Sequence, residues 1–402
     1  MKVGIEKLRA YPCSLALSID DLCAARGANP EQTREKLMID ERSLNPTWED
    51  PVTMAVNAAK PMLTAEDIER IELLIVGTES GLDQEKSITT WIHRHLGLKA
   101  NCRNFEIKHA CYAGTAALQM AVGWIASGHG GEAKALIITT DQSRMHLGEA
   151  YEFVLGAGAA AVLVSSVPRV LEIEPGCAGY WTQDVADLMR PTSRVEAGSG
   201  DLSVACYLDA LEGAFEDFQR RVGGIDFATH FARVIYHAPF GGLTFLAHKA
   251  LLDDSLDKEA ARRDFEQRSA LALSYVRRMG STYSSSNFIA LLALLDGDPS
   301  LSPGDRLGIF SYGSGCCAEF YSALIGSEAK AVARAAAMPA LLDQRRRISV
   351  GEYEAIECER ASYIDCGDYE PSRTSWFDEH YAGCGLLVFR GMRAFHRQYE
   401  WS

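Results

Sequence analysis

The chain has 402 residues, 47% of them hydrophobic and 23% charged, with a formal net charge of −14. Those proportions belong to a folded globular protein, and the length suits two domains or one large domain of two similar halves. The acidic balance excludes a nucleic-acid binder that works through a broad basic field.

The opening, "MKVGIEKLRAYPCSLALSIDD", has a short apolar stretch broken by charge and by Pro12, which is not a secretory layout. No apolar run approaches the ~20 residues needed to cross a bilayer, so a cytoplasmic protein without a membrane role is expected. Residues 4–12 read as a strand, and 18–27, 31–38 and 51–60 as helices. A strand follows at 71–80, a helix at 86–96, a strand at 104–110 and an apolar helix at 113–127. Strands at 133–141, 156–166 and 169–176 complete the first part; runs such as "ALIITT" are those of strands buried on both faces.

The second part repeats the cadence. A strand at 232–240 leads into a helix at 241–252, and another helix spans about 283–296. Residues 306–326 read as a glycine-centred hairpin, and the chain closes as a strand and a short helix. The charged segments 253–268 and 327–380 read as surface additions whose charges are mostly solvated. The class is α/β. "GAGAAAVLV" and "SYGSGCCAEF" occupy corresponding late positions in the two parts, which points to a pseudo-duplicated architecture with halves at 1–176 and 177–402.

Eleven cysteines are scattered with no C-x-x-C pair, so neither a disulfide nor a zinc framework is expected. Cys111 stands apart, at the changeover from strand to helix in "FEIKHACYAGTAALQ" with small residues around it. A free thiol ionises only at a pKa of about 8.5, and a helix N-terminus supplies unpaired N–H groups that favour the thiolate. The residues alone leave Cys111 open between a reactive thiol and a packed core cysteine. Cys316 and Cys317 lead into a strand and read as core.

Glu79, in "VGTESG", ends an apolar strand where a carboxylate is costly to bury without purpose. Partial burial raises such a group toward neutrality, which suits a base that returns its proton; a solvated loop carboxylate is the other reading. His237, in "IYHAPFGG", follows an apolar strand and precedes a turn-forming Pro-Phe-Gly-Gly. His93 and His95 are two apart, on different faces of a helix, and no metal site is expected there. The turn "FSYGSGCC" offers free N–H groups for an oxyanion but is not a P-loop.

Together, "GTES", "ACYAGTAAL", "GAGAAAVLV", "YHAPF" and "FSYGSG" resemble, in order along nearly the whole chain, the 3-hydroxy-3-methylglutaryl (HMG) synthase family of the thiolase superfamily. "EDPVTMAVNAAKP" and "FHRQYEW" are further similar to the branch that installs β-branches on carrier-bound polyketides. The resemblance implies a thiolase-like fold of five α-β-α-β-α layers, usually a homodimer, with no cofactor. It implies that Cys111 is the acyl-accepting nucleophile, Glu79 the general acid/base and His237 the histidine beside the second substrate. It also implies substrate contacts at Ser281, Tyr283, Gly313, Ser314 and Gly315.

The implied reaction adds an acetyl unit, carried on Cys111, to the β-ketone of a β-ketoacyl thioester, and water then frees the product. Two departures stand out. Ser281, in "GSTYSSSNF", occupies the place of the family's usual Asn, and "FGGL" lacks the lysine that CoA-using members tend to carry after H-x-P. The second favours acyl carrier proteins over free CoA as partners; a CoA-dependent synthase of isoprenoid metabolism is the nearest alternative. Carrier proteins are acidic, and Arg34, Lys36 and Lys249 are the cations expected to dock them.

Overall fold

The computed structural model describes residues 1–128, 131–143, 146–253 and 255–402. Among these, nine strands form one mixed sheet: β1 (Gly4–Tyr11), β2 (Ile71–Gly77), β3 (Arg103–Ile107), β4 (Lys134–Asp141), β5 (Gly158–Ser165), β6 (Leu171–Thr182), β7 (Arg233–Tyr236), β8 (Arg306–Gly313) and β9 (Cys317–Ile325). Their spatial order is β7-β8-β9-β6-β1-β5-β4-β2-β3.

That order contains the same pattern twice. β2 lies parallel to β4, β4 antiparallel to β5, and β5 antiparallel to β1. In the other array β7 lies parallel to β8, β8 antiparallel to β9, and β9 antiparallel to β6. The arrays meet where β1 pairs with β6 at Gly4↔Glu172 and Ile5↔Leu171. A division at residue 176 falls inside β6.

The helices used below are α1 (Pro30–Leu37), α2 (Pro51–Ala59), α3 (Ala113–Ala126), α4 (Gly200–Val222), α5 (Gly241–Ala250), α6 (Lys258–Arg268), α7 (Ser286–Gly297) and α8 (Val350–Ser362). Alternate strand residues face opposite layers. Ile75, Ile137 and Val162 turn toward α3 and α7, and so do Ile235, Leu307 and Ile309 of the other array. Leu74, Leu136 and Ile138 turn the other way, onto α2. Phe310 and Phe320 turn onto α4. This is the thiolase-like α-β-α-β-α stack, with α3 and α7 in its middle layer. α3 packs on the strands through Ala117, Leu118, Ala121, Val122 and Ile125, and its exposed positions are the apolar Met120, Gly123 and Ala126, so it is apolar nearly all round.

Some expectations are corrected. The chain ends in a hairpin, Leu387–Arg393 with His396–Trp401, rather than a strand and helix; the alternating pattern of "FHRQYEW" is a strand period. α4 was not anticipated, although Tyr207, Ala210, Leu211, Ala214 and Phe218 recur at helical spacing and are buried. In the segment 327–380, Arg345, Glu357 and Arg360 are buried rather than solvated, with Arg360 ion-paired to Glu357. The charged helix expected from 253 begins at Lys258, and Asp254 lies outside the described residues. No helix among the described residues is long and apolar enough to cross a membrane.

Candidate active site

Cys111 lies between the end of β3 and the start of α3, in a segment that the two arrays grip from both sides. Ala110 takes a positive φ of 43°, which turns the chain out of the strand. Glycine is required where the strands close on it. A Cβ on Gly77, at the end of β2, would lie 2.8 Å from the Ala113 carbonyl carbon. One on Gly313, at the end of β8, would lie 2.4 Å from the His109 oxygen. Beyond the thiol, Tyr112 Oη donates to Glu319 Oε2 at 2.7 Å and Gln119 Nε2 donates to Glu319 Oε1 at 2.6 Å. Both carboxylate oxygens of a buried β9 residue thus hold one face of α3.

Glu79 follows β2 by two residues. Its N–H donates to Asp141 Oδ1 at 2.9 Å, and its carbonyl accepts from Arg190 Nη1 at 2.6 Å. Its Oε1 accepts the Cys111 thiol at 3.2 Å. Asp141 ends β4 and is held by the Thr78 hydroxyl at 2.9 Å and the Ser284 hydroxyl at 2.6 Å. Arg190 is ion-paired with Glu196 at 2.7 Å.

Burial, then the negative charge of Asp141, pushes the Glu79 carboxyl up to about 7. Such a group exchanges a proton readily at neutral pH, as the sequence argument expected. Burial also pushes the Cys111 thiol well above its ordinary range, and the Glu79 carboxylate pushes the same way. The expectation of a helix-ionised thiol is therefore corrected. α3 starts two residues later, and the thiol's nearest charged neighbours are carboxylates. Ionisation requires handing the proton to a base, and Glu79 is in hydrogen-bond contact.

His237 is the first residue after β7. Its N–H donates to the Phe310 carbonyl at 2.8 Å and its carbonyl accepts the Tyr207 hydroxyl at 2.7 Å. Nδ1 lies 2.8 Å from Ser286 Oγ, whose hydroxyl donates to the Tyr283 carbonyl at 2.9 Å. With that hydrogen spent, the serine oxygen accepts Nδ1–H, and Nε2 is left as a bare acceptor. Nε2 is buried and has no partner among the described residues. Burial pulls the imidazole down to about 3, so it is neutral at physiological pH.

Cys111, Glu79, His237, Ser281, Tyr283 and Arg190 line one cavity of about 1950 Å³. Tyr283, at φ 52°, has a buried hydroxyl without a partner among the described residues. Ser281 is fixed through its backbone, donating to Val154 at 2.7 Å and accepting from Gly156 at 2.8 Å. The glycine turn differs from expectation. Gly315 donates its N–H to Asp187 Oδ1 at 2.8 Å, Gly313 packs on the segment before α3, and only Ser314 of the three faces the cavity. Its N–H groups are thus not the pair of oxyanion donors the turn suggested.

Of the three expected docking cations, Lys36 lines the cavity; Arg34 is paired with Asp20, and Lys249 is exposed on α5 away from it. Sequence reasoning missed Asp141, Ser286 and Arg190. Asp141 carried the same signal as Glu79, an acid at the end of an apolar strand. Ser286 and Arg190 carried none.

The chain matches the family described as Hydroxymethylglutaryl-coenzyme A synthase N terminal over residues 3–168 and Hydroxymethylglutaryl-coenzyme A synthase C terminal over residues 243–378. It is 38% identical over 371 residues to the polyketide biosynthesis 3-hydroxy-3-methylglutaryl-ACP synthase PksG of Bacillus subtilis, covering 89% of this chain and 88% of that one. Against the hydroxymethylglutaryl-CoA synthase of Enterococcus faecalis the identity is 35% over 361 residues, covering 89% and 92%. Its fold superposes on the crystal structure of the curacin biosynthetic pathway HMG synthase in complex with holo donor-ACP with a TM-score of 0.95 at 38% identity, covering all of both chains.

Proposed function

The chain belongs to the hydroxymethylglutaryl-coenzyme A synthase family, and from that premise we propose that it is the carrier-protein-dependent HMG synthase of a polyketide β-branching system. The observation that carries the chemistry is the contact of the Cys111 thiol with Glu79. Its likeness to PksG and to a synthase crystallised with its donor carrier protein supports the choice of partner.

In this reading Cys111 passes its proton to Glu79 and attacks the carbonyl of an acetyl-carrier thioester. The C–S bond to the carrier breaks, and Glu79 returns the proton to the departing thiolate. Glu79, again ionised, removes a methyl proton from acetyl-Cys111. The resulting enolate carbon forms a C–C bond to the β-carbon of a β-ketoacyl-carrier thioester, and the protonated Glu79 gives its proton to the new alkoxide. Water then cleaves the Cys111 thioester, leaving a carboxymethyl group on a tertiary alcohol. The Tyr283 hydroxyl, buried without a partner among the described residues and pushed well above its ordinary pKa by burial, stays protonated. It is a donor for a developing oxyanion. Neutral His237 stands beside the second thioester with Nε2 as acceptor.

Carrier proteins reach the cavity across the rim of α1, α5 and α6. Lys36, Lys258 and Arg262 line the cavity there, and neither lysine makes an ion pair among the described residues. We take the enzyme to be a cytoplasmic homodimer of two thiolase-like halves, with Ser281 contacting substrate.

The test is intact-protein mass spectrometry with acetyl-CoA and acetyl-carrier protein offered separately, and Cys111→Ala as control. Acetylation by the carrier alone, absent in the control, supports the proposal. Equal loading from acetyl-CoA moves the assignment to a CoA-dependent synthase, and loading from neither removes it.

A further inference from the structure

Residues 188–198, "LMRPTSRVEAG", fold back as a two-stranded ribbon in which Leu188–Met189 pairs with Ala197–Gly198. The register Ala197↔Met189 sets Arg190, just after one strand, beside Glu196, just before the other. Their largely buried side chains meet across the ribbon, where Arg190 Nε and Nη2 donate to Glu196 Oε2 at 3.1 and 2.7 Å. His146 Nε2 lies 3.5 Å from the same oxygen. The ribbon is held at its base by the Ser199 N–H, which donates to the Asp187 carbonyl at 2.8 Å. At its tip, Arg194 donates to the Ile364 carbonyl at 2.7 Å.

Arg190 Nη1 reaches out of the ribbon to the Glu79 carbonyl at 2.6 Å. The main chain of Glu79 is therefore held at both ends, its N–H by the Asp141 side chain at 2.9 Å and its carbonyl by a cation. A planar guanidinium can grip a carboxylate and a carbonyl at once, in a fixed fork that a lysine ammonium does not offer. Several elements bring charged or titratable groups to the Glu79 carboxyl. They are Asp141 at the end of β4, the Cys111 thiol before α3, Arg190 and Glu196 on the ribbon, and the Tyr283 hydroxyl before α7. Arg190 is the cation of that set; it favours the carboxylate, and Asp141 and Glu196 oppose it.

We propose that Arg190 is the positioning residue of the general base: it fixes the Glu79 main chain and lends the carboxyl a positive charge that Glu196 holds in check. The proposal rests on the synthase reading above and adds a residue outside the reacting set. Without the cation, Glu79 keeps its proton to higher pH, and less of the base is free at neutrality. Without the Glu196 charge the reverse holds. The two substitutions thus act with opposite sign on one carboxyl, whereas a ribbon that merely braced the site would lose rate in both and move neither midpoint.

The test is single-turnover condensation between enzyme acetylated on Cys111 and a 3-oxobutanoyl carrier protein, followed by mass as a function of pH. Arg190→Met is expected to raise the midpoint of the pH profile by about one unit, the scale on which a nearby opposite charge shifts a carboxyl. Arg190→Lys, which keeps the charge, is expected to recover most of that shift. Glu196→Gln keeps an acceptor for the guanidinium and is expected to lower the midpoint by a smaller, measurable amount. Melting curves report that each variant is folded. Should Arg190→Met fail to fold or to acetylate, the Glu196→Gln midpoint decides alone. An unchanged midpoint in either variant that acetylates overturns the proposal, as do shifts of the same sign in both. A wild type that acetylates Cys111 but forms no product instead overturns the synthase reading, and with it the base that Arg190 would serve.

Discussion

The Cys111 thiol donates its hydrogen to Glu79 Oε1 across 3.2 Å, so nucleophile and base share one proton in the resting protein. Both are half-buried; the Glu79 carboxylate disfavours ionisation of the thiol, whereas the thiol's hydrogen bond favours ionisation of Glu79. Neither is active alone. The pair becomes reactive when a thioester arrives to accept what the proton leaves behind.

Replacing Glu79 by Gln keeps the shape and an acceptor oxygen but removes the ability to take a proton. Product formation from acetyl-Cys111 is expected to fall by about 10²–10⁴, the usual worth of a positioned proton transfer. Because the same carboxylate takes the thiol proton, acetylation of Cys111 should slow as well, and the acetyl-enzyme that does form should persist in a single-turnover experiment followed by mass. Condensation at the wild-type rate would remove Glu79 from its role.

The pH profile follows from the same carboxyl. A base with a pKa of about 7 is mostly protonated below that value. The condensation rate is therefore expected to rise with pH, approaching tenfold per unit on the acid side, and to level off above 7. His237, at about 3, adds no limb in the neutral range. A profile with its midpoint near an ordinary carboxylate value would contradict the burial argument.

Ser286→Ala leaves the buried Nδ1–H of His237 without an acceptor. Loss of one partner of a buried hydrogen bond costs about 1–3 kcal/mol. Part should appear as lower stability to urea, and part as a five- to tenfold fall (order of magnitude) in condensation, because the ring is freed to turn. Ser286→Thr, which keeps the hydroxyl, should recover most of the rate. A variant with wild-type kinetics would show that the serine does not orient the ring.

Gly313→Ala places a methyl group 2.4 Å from the His109 oxygen and 2.7 Å from Tyr112 Cβ. Neither neighbour gives way without moving Cys111. Overpacking of this kind costs about 1–3 kcal/mol. The variant should melt several degrees lower and load acetyl more slowly, whereas an ordinary melting temperature would mean that the contact relaxes.

Among the rim cations, Lys36→Glu is expected to raise the KM for acetyl-carrier protein more than Arg34→Glu, because Arg34 is already paired with Asp20. The difference should shrink as salt rises, since exposed charges are screened within about 10 Å at 0.1 M. Equal effects would place the docking surface elsewhere.

Cys111, Glu79 and His237 were visible in the sequence for one physical reason. Each lies just beyond a strand, Glu79 and His237 after apolar ones and Cys111 at a changeover to a helix among small residues, where a reactive or polar side chain needs an explanation. Asp141 met that criterion and was passed over. Arg190 could not be found this way, since its importance arises from a carbonyl contact made by an irregular segment. The ionisation of Cys111 was misread because a helix start is visible in sequence, whereas carboxylates gathered from β2 and β4 are brought there only by folding. α4 was lost among loops although its apolar spacing was regular. The glycine turn was recognised as tight, but the partner that takes the Gly315 N–H, Asp187, lies far away in sequence.

The grip of Glu319 on Tyr112 and Gln119 has a consequence for how the enzyme comes into being. The group that aims the cysteine stands 207 residues after Tyr112. On the ribosome, the thiol emerges long before the strand that fixes it, so a nascent or prematurely terminated chain carries the cysteine without its alignment. Splitting the gene between the two would yield no partial catalyst, and activity would return only if the fragments found each other and docked. The protein is thus protected by its own length from acylating carriers before it is finished.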